Sequence, residues 1–460
     1  MIPYQTRNKS CRRHRASILG LVIVLLMPIA VARPSDVSGQ RGSDLTAAER
    51  ENLIKNLCDR IARVYPFEEI SKTTREGVLR KLCAGEYDKV VSREEFAARL
   101  TADLETLSRD KHLDVDYDPA LATELATRNK PGEKQTGKAD DEIESARWEN
   151  FGFKSIRMLE GQVGYLDLRM FFSASYAGAT ATSAMELLSG SRAVIVDLRL
   201  NGGGWDDMVT LLASYFVDSS RAGVVAITQS TLDSSYDASI VPSFVPGKRL
   251  TGIPIYLLTS SRTASAAEAF VSIVRHLNDS VVVVGQRTAG AENPVEMLPL
   301  DDQFVLKIPC YRKIYFGGRP GWEGTGLAPD VEVPSDRALE TAHLRALHKL
   351  QAKLTEAMAQ GKIQWAIESY QALLEPKTVD PNVLRSYVGR YRRANVLMEG
   401  RDLYVQFDNQ ARNRLRAISN NYFLIEERDD LRLRFVVEHG KVTLMEKIYA
   451  DGYRSLDVKE

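Results

Sequence analysis

The chain has 460 residues, 27% of them charged, and its 61 basic and 61 acidic side chains give a formal net charge of zero. This length allows two or three domains with a sizeable core, and the balanced charge gives no support for a nucleic-acid partner. Spacings of the C-x-x-C or H-E-x-x-H kind are absent, so the sequence predicts no metal site, and no cofactor is expected.

The first 32 residues have the pattern of an export signal. Three arginines precede an apolar run over residues 18–32, and the run ends in the small-x-small tripeptide Ala30-Val31-Ala32. The alternative is an uncleaved membrane anchor, but the run is shorter than the roughly 20 residues that span a bilayer. We therefore expect a signal peptide over 1–32 and an exported protein, periplasmic or secreted. It keeps no stable membrane span after cleavage and is N-terminally anchored only if the signal is retained.

The next part of the chain is predicted to be helical. Residues 33–43 are polar and expected to be disordered, and apolar residues recur at helical spacing over 44–118. We expect a small helical cap domain there. Residues 119–150 are expected to be a linker, because most of them are charged or small and polar.

Three cysteines remain once the signal is removed: Cys58, Cys83 and Cys310. An odd number leaves at least one of them unpaired within the chain. Cys58 and Cys83 both lie in the helical region, and an exported protein can oxidise them, but the sequence leaves a disulfide between them open.

From residue 151 the pattern changes to α/β. Apolar runs of strand length cover 163–168, 193–198, 255–258 and 281–284, with helical stretches between them. Strands that alternate with helices predict a largely parallel, buried sheet, and we assign the core domain to 151–335.

The last part of the chain has two segments. Residues 336–375 carry apolar residues at helical spacing and are expected to be a helical connector. Residues 376–460 contain short alternating runs separated by polar turns, which predicts a small antiparallel β domain.

Ser265 is a candidate nucleophile. An apolar strand ends shortly before it, a tight polar turn follows, and a helix is predicted to begin at about this residue. A serine in that position lies over free backbone N–H groups and the positive end of a helix dipole. On local pattern alone, an ordinary N-cap serine is the simpler interpretation.

A glycine run follows the strand that ends near Asp197. Gly202, Gly203 and Gly204 allow the backbone to approach a ligand closely and to turn its N–H groups outward. A phosphate loop is disfavoured, because the G-x-x-x-x-G-K-[ST] lysine and the G-x-G-x-x-G spacing are missing. An oxyanion hole is the favoured use, with the backbone N–H groups of Gly203 and Ala266 as donors.

Four motifs between about residues 150 and 335 follow the order found in one known family. They are Asp197-Leu-Arg199-x-Asn201-Gly-Gly203-Gly204, Thr263-Ala-Ser265-Ala-Ala-Glu268, Val284-Gly285-Gln-Arg-Thr288-x-Gly290 and Trp322-Glu323-Gly-x-Gly326-Leu-x-Pro329-Asp330. Together they resemble the core of peptidase family S41, the tail-processing and tricorn-like group. Upstream, Asp110-Lys-His112-Leu resembles the helical cap of the branch that contains interphotoreceptor retinoid-binding protein. The resemblance implies an α/β fold with a crotonase-like (ClpP/crotonase) core, and cleavage of a peptide or protein substrate.

The resemblance also bears on how the serine is activated. Tail-processing members use a lysine about 25 residues after the serine, but that position is Gly290, and the guanidinium of nearby Arg287 stays protonated. Tricorn-like members use a histidine from the cap and a late glutamate. The resemblance therefore implies His112 as the general base and Glu323 as its support. Tricorn-type sites have a serine beside the histidine, whereas this chain has Lys111.

The expected function is that of an exported serine endopeptidase that works through an acyl-enzyme. The tail-processing branch has a PDZ domain between cap and core, but 119–150 is too short for one, so we expect substrate capture in the cleft between cap and core. Because Ser265 and His112 belong to different domains, cap movement is a candidate switch. The alternative is a catalytically weak or inactive protein of the same fold that binds a hydrophobic or peptide ligand. A crotonase-type acyl-CoA enzyme is disfavoured by the export signal. The oligomeric state stays open.

Overall fold

The computed structural model describes residues 44–128, 138–317, 321–408 and 410–460. The expected signal peptide and disordered segment therefore lie outside the described residues. Within the described ranges, no helix combines the length and the apolar character that crossing a bilayer requires.

The N-terminal region consists mainly of helices. Its elements are α1 (Ala47–Val64), α2 (Glu68–Cys83), α3 (Arg93–Ser108), β1 (Asp114–Tyr117), α4 (Pro119–Arg128) and α5 (Lys138–Trp148). Thr46 and Glu49 form a capping box at the start of α1, and the side chain of Ser92 accepts from the backbone of Glu95 at the start of α3. The predicted helical cap is confirmed in type.

Helices α4 and α5 lie where the sequence predicted a linker, so that prediction is wrong for their described residues. Ala122 and Leu125 of α4 are buried against Val305, because their spacing places both on one face of the helix. The polar composition of the segment concealed this short apolar stripe.

The core alternates strands and helices, as predicted. Its elements are β2 (Phe153–Leu159), β3 (Val163–Leu168), α6 (Ala174–Leu188), β4 (Ala193–Asp197), α7 (Asp206–Phe216), β5 (Gly223–Ser230), β6 (Tyr236–Val241), β7 (Ile255–Thr259), α8 (Ala266–Leu277), β8 (Val281–Gly285), β9 (Val295–Pro299), β10 (Phe304–Pro309), β11 (Tyr311–Tyr315) and β12 (Val331–Glu332). The four predicted strands are β3, β4, β7 and β8.

A six-stranded sheet with the order β12-β8-β7-β4-β3-β2 forms the centre of the core. All neighbouring strands are parallel except the β2–β3 pair. Val194 and Val196 face a cluster that includes α6, α7 and α8, whereas Ile195 faces the opposite cluster. The sheet is therefore buried on both faces, which explains why its strands are almost wholly apolar. Because the strands are parallel, the loops that follow β4, β7 and β8 meet at one edge of the sheet.

Two smaller sheets flank this core, with the orders β1-β10-β9 and β11-β5-β6. In the first, residues 114–117 of β1 pair antiparallel with residues 304–307 of β10. Phe304, Leu306 and Ile308 of β10 complete the hydrophobic cluster formed by the cap helices. A strand from the core region thus packs as part of the cap, a long-range pairing that linear periodicity does not reveal.

The C-terminal part begins with α9 (Ala338–Gln351), α10 (Ala357–Leu374) and α11 (Pro381–Tyr387). An eight-stranded antiparallel sheet follows, in which neighbours in sequence are neighbours in space. Its strands are β13 (Gly389–Tyr391), β14 (Ala394–Glu399), β15 (Asp402–Phe407), β16 (Arg412–Ala417), β17 (Tyr422–Ile425), β18 (Arg428–Glu438), β19 (Lys441–Tyr449) and β20 (Arg454–Val458). The antiparallel prediction is confirmed.

The three described cysteines are free thiols. Cys58 and Cys310 are buried and Cys83 is exposed. Burial raises the pKa of the Cys58 thiol to about 11 and that of Cys310 to about 12. Neither buried thiol therefore has the character of a nucleophile.

Candidate active site

Ser265 lies at the N-terminus of α8, immediately after the turn that follows β7. Its backbone has φ 54° and ψ −121°, a region that residues with a side chain rarely adopt. Such a conformation costs about 1–3 kcal/mol and is concentrated at functional sites. The side chain is partly exposed, and the first N–H groups of α8 have no acceptor within the helix. The position and the strained backbone are compatible with the expected nucleophile, and Glu268 accepts the N–H of Ser265 as in a capping box.

Glu268 holds Ser265 in place. Its side chain is fully buried, and one carboxylate oxygen accepts the backbone N–H groups of Ser265 (3.0 Å) and Ala291 (2.8 Å). The other oxygen accepts the N–H of Gly290 (2.8 Å) and the hydroxyl of Thr288 (2.5 Å). Glu268 therefore joins Ser265 to the 288–291 segment.

The glycine run packs directly against Ser265. A Cβ atom added at Gly203 would lie 2.9 Å from Ser265 Cβ and 3.1 Å from Ala266 N. Gly203 also has φ +123°, a conformation that glycine adopts readily. The sequence prediction that the glycine run and Ser265 form one site thus agrees with their placement.

The two predicted oxyanion donors differ in their hydrogen bonding. Ala266 is the first residue of α8, so its N–H has no intrahelical acceptor. The N–H of Gly203 instead donates to Asn201 Oδ1 at 2.9 Å. Asn201 is fully buried and is itself fixed by a 3.0 Å hydrogen bond from Nδ2 to the carbonyl of Leu168. The prediction that Gly203 offers a free donor is therefore not met in this arrangement, because a side chain two residues earlier already uses that N–H group.

Asp197 and Arg199, which precede the glycine run, form an ion pair. Arg199 Nη2 lies 2.6 Å from Asp197 Oδ2, and Arg199 Nη1 donates to the carbonyl of Ser335. Tyr165 donates its hydroxyl to Asp197 at 2.8 Å. These contacts fix the end of β4, from which the glycine run continues.

His112 lies in the turn between α3 and β1 and is 7% exposed. Its Nδ1 is 3.1 Å from Asp110 Oδ1, which also accepts the backbone N–H of His112 at 2.8 Å. On the other side, Nδ1 is 3.2 Å from Glu323 Oε1. Tyr65 donates its hydroxyl to Asp110 Oδ2 at 2.7 Å. Two carboxylates, one from the cap and one from the core, therefore hold the same nitrogen of the ring.

These contacts determine the charge of His112. Burial lowers the pKa of the imidazole, but the hydrogen bonds and negative charges of Asp110 and Glu323 outweigh burial and raise the pKa to about 9. Burial raises the pKa of Asp110, yet the hydrogen bond and positive charge of His112 bring it below its ordinary value. His112 is therefore an imidazolium at neutral pH in this arrangement.

Glu323 is fixed by the loop that carries residues 292 and 293. Its Oε2 accepts the backbone N–H groups of Glu292 and Asn293, both at 2.9 Å, and the side-chain amide of Asn293 at 3.0 Å. Glu292 Oε2 in turn accepts the N–H groups of Trp322 (2.7 Å) and Glu323 (3.0 Å). Glu323 Oε1 is left buried and directed to His112.

The structure links Ser265 and His112 without bringing them into direct hydrogen-bond contact. Glu268 connects Ser265 to Gly290 and Ala291, and the next two residues of that loop hold Glu323 beside His112. No hydrogen bond between Ser265 and His112 occurs among the described residues. Catalytic contacts of this kind are often long in the absence of substrate and tighten in the complex.

A groove of about 420 Å³ borders the site. It is lined by Phe67 of the cap, by Asn293 and Glu323 of the core, and by residues 312–315 of β11. A larger surface hollow of about 620 Å³ lies on the C-terminal part around Arg385 and Gly400, and its lining includes none of the candidate residues. Of these two hollows, the groove is the one whose lining includes a candidate residue, Glu323.

One cluster in the described part of the chain has ligand atoms close enough for a metal ion. Asp110, His112 and Glu323 each offer one such atom, and these lie within 4.8 Å of one another. The hydrogen bond and ion pairs already described account for this spacing.

Sequence reasoning missed three residues of the site. Asp110 was read as part of a motif, although a carboxylate two residues before a histidine is a usable signal for an orienting partner. Glu292 and Asn293 carry no such signal, because their role depends on the contact between two loops about 30 residues apart.

Two family models match this chain. The model of "Peptidase family S41" matches residues 162–333, and the model of the "N-terminal domain of Peptidase_S41 in eukaryotic IRBP" matches residues 46–147. A Bacteroides fragilis protein assigned to the S41 proteases is 19% identical with a TM-score of 0.36, and the match covers 48% of this chain and 58% of that one.

Two other solved structures are similar at the same modest level. The photosystem II D1 C-terminal processing protease is 15% identical with a TM-score of 0.41, and the match covers 63% of this chain and 94% of that one. The tricorn protease is 13% identical with a TM-score of 0.39, over 66% of this chain and 37% of that one. On the two family matches, the chain belongs to peptidase family S41, a family of serine-type peptidases with a crotonase-like α/β core, and carries the N-terminal domain of that family's IRBP branch.

Proposed function

We propose that the chain is an exported serine endopeptidase that hydrolyses peptide bonds through an acyl-enzyme at Ser265. The observation that supports this most is the continuous set of contacts from Ser265 through Glu268 and the 290–293 loop to Glu323 and His112. A strained serine at a helix N-terminus and a histidine held by carboxylates are the parts that acyl transfer requires.

In the proposed reaction, which requires the neutral form of His112, Ser265 Oγ attacks the substrate carbonyl carbon as its proton passes to His112 Nε2. Nε2 takes this role because Nδ1 is held by Asp110 and Glu323. The imidazolium then gives the proton to the amine nitrogen as the C–N bond breaks, leaving an ester on Ser265. Water, deprotonated by His112, attacks that ester. The bond between the acyl carbon and Ser265 Oγ then breaks, the carboxylic product leaves, and the imidazolium returns its proton to Oγ.

The oxyanion of each tetrahedral intermediate is assigned to the N–H of Ala266, with Gly203 as the second donor. Gly203 can serve only if its N–H turns from Asn201 Oδ1 to the substrate or is shared between the two acceptors. Removal of one such donor typically lowers the rate by about 10²–10³.

The test is labelling with a fluorophosphonate probe, read beside cleavage of an unfolded protein. Wild type is expected to be labelled and active, and Ser265→Ala is expected to lose both. Ser261→Ala is the matched control, because Ser261 is an exposed serine in the preceding turn. Equal activity in wild type and Ser265→Ala would refute the assignment.

Export is proposed on the pattern of the first 32 residues alone. N-terminal sequencing of the protein recovered outside the cytoplasm is expected to begin at Arg33, directly after Ala30-Val31-Ala32. An intact Met1 on that protein would favour an N-terminal anchor instead.

A second candidate is a protein of the same fold that binds a hydrophobic or peptide ligand without cleaving it. The occupied N–H of Gly203 and the absence of a hydrogen bond between Ser265 and His112 favour it. The same probe distinguishes the two, because this candidate predicts ligand binding that persists in wild type and in Ser265→Ala with no labelling of either.

A further inference from the structure

The three-stranded sheet β11-β5-β6 carries apolar side chains on both faces, and only one face is covered. On the inner face, Ala226 and Val241 are fully buried in the main core cluster. On the outer face, Val224 is 46% exposed, Ile240 51% and Ile314 45%. An antiparallel sheet with one wet face normally alternates apolar and polar residues, so an apolar outer face indicates an interaction surface.

The register shows that these outer residues are neighbours. Val224 is the cross-strand partner of Ile240, and Ile227 is the partner of both Ala238 and Ile314. Tyr236, which is 66% exposed, is opposite Gln229, and Gln229 is opposite Arg312. The outer face is therefore one continuous apolar strip across three strands, with Arg312 and Tyr236 in its last row.

This strip is continuous with the groove at the candidate active site. Arg312 and Ile314 line the groove, and the same groove contains Glu323 and Asn293. The side chain between them, Lys313, points inward and pairs with Asp206 at 2.5 Å. Arg312 makes no ion pair with a described residue, so the groove offers one free positive charge where it joins the strip.

We infer that this outer face, defined by Val224, Ile227, Tyr236, Ile240, Arg312 and Ile314, docks the substrate polypeptide beyond the groove. The inference rests on the proposed function and names its substrate class, an unfolded polypeptide with an apolar segment and an acidic residue at Arg312. Docking of this kind supplies the capture step that a separate peptide-binding domain would provide.

The test measures binding separately from cleavage. In the Ser265→Ala protein, fluorescence anisotropy reports the Kd of fluorescein-labelled, reduced and carboxymethylated α-lactalbumin, which is unfolded and acidic. A labelled hexapeptide long enough for the groove alone is measured beside it. The variant V224T/I240T keeps β-branched side chains and removes two apolar groups from one cross-strand pair. The matched control L456T/V458T changes two exposed residues of β20.

V224T/I240T is expected to weaken binding of the unfolded protein about tenfold and to leave hexapeptide binding unchanged, whereas the control changes neither. R312Q is expected to weaken binding and to reduce its dependence on salt. Unchanged binding of the unfolded protein by V224T/I240T overturns the inference. The inference is also overturned if sedimentation shows a dimer that V224T/I240T dissociates while binding of the unfolded protein is unchanged. The strip would then join two copies of the chain. Failure of wild type to cleave, with docking intact, would count against the proposed chemistry alone.

Discussion

Glu292 and Glu323 form a reciprocal pair of side-chain to backbone hydrogen bonds. The carboxylate of Glu323 accepts the N–H of Glu292, and the carboxylate of Glu292 accepts the N–H of Glu323. Each also binds one adjacent N–H, that of Asn293 or Trp322. The reciprocal arrangement fixes the position of Glu323 Oε1 beside His112, so the geometry of the candidate base depends on a residue that never contacts it.

The reciprocal hydrogen bonds between Glu292 and Glu323 give a prediction for Glu292. Burial raises the pKa of this carboxyl group, so a neutral isostere is expected to be tolerated if its oxygen takes the place of Oε2. Glu292→Gln is expected to keep at least a third of wild-type kcat/KM. Glu292→Ala leaves the partly buried N–H groups of Trp322 and Glu323 without an acceptor. It is expected to lower kcat/KM at least tenfold and stability by about 1–3 kcal/mol. Similar kcat/KM values for the two variants would contradict the prediction.

The raised pKa of His112 predicts an alkaline pH profile. A general base must be neutral, so kcat/KM is expected to rise with pH and to level off above about 9. Asp110→Asn removes one negative charge beside the imidazole ring. It is expected to move the rising limb of the pH profile to lower pH and to lower the plateau. Lys111→Gln changes an exposed neighbour and serves as the control. A limb that stays in place in Asp110→Asn would show that Asp110 does not act through the imidazole.

Stability is expected to change over the same pH range in the opposite sense. The folded-state pKa of His112 lies above its ordinary value of 6.5, so its contribution is complete below pH 6.5 and is lost as pH rises through about 9. The difference corresponds to about 3 kcal/mol in the free energy of unfolding. Urea unfolding of wild type between pH 6 and 10 measures it. His112→Gln should flatten this dependence, and a decline of equal size in that variant would assign the effect to other groups.

Glu268 is predicted to be a positioning residue for Ser265. In Glu268→Gln, the amide nitrogen faces two of the groups that donated to the carboxylate. The Thr288 hydroxyl can turn to accept from an amide, but a backbone N–H cannot, so at least one hydrogen bond is lost. Since Ser265 then loses support for its strained backbone, we expect kcat to fall about 100-fold with little change in KM. Thr288→Ser keeps the hydroxyl and is expected to be near wild type. A change confined to the melting temperature would mean that Glu268 serves the fold alone.

Much of the fold was predictable because its signals are local. The strands of the parallel sheet are apolar runs of the right length, and several C-terminal strands alternate with a period of two. The pairing of β1 with β10 was not predictable, because it joins residues about 190 positions apart through backbone hydrogen bonds that any side chain permits. The helices α4 and α5 were missed because polar residues outnumber their few buried ones.

The candidate site likewise contains residues that the sequence could predict and contacts that it could not. Ser265, His112 and Glu323 carry reactive groups in recognisable motifs, so sequence could nominate them. The hydrogen bond from Gly203 to Asn201 could not be foreseen, because it depends on one rotamer of a buried amide. The reciprocal hydrogen bonds of Glu292 with Glu323 could not be predicted either, because an acidic residue in a loop is usually solvated.

Gly203 offers the sharpest test of the contact between the glycine run and Ser265. Gly203→Ala places a methyl group 2.9 Å from Ser265 Cβ and 3.1 Å from Ala266 N, and it strains a backbone with φ +123°. We expect kcat/KM to fall at least 100-fold, because the proposed nucleophile and a proposed oxyanion donor must both shift. Gly202→Ala is the matched control: a Cβ there meets no atom within 4 Å, so near-normal activity is expected. If the two variants lose activity equally, flexibility of the whole run matters more than this contact. If neither loses activity, Gly203 does not lie against the working position of Ser265.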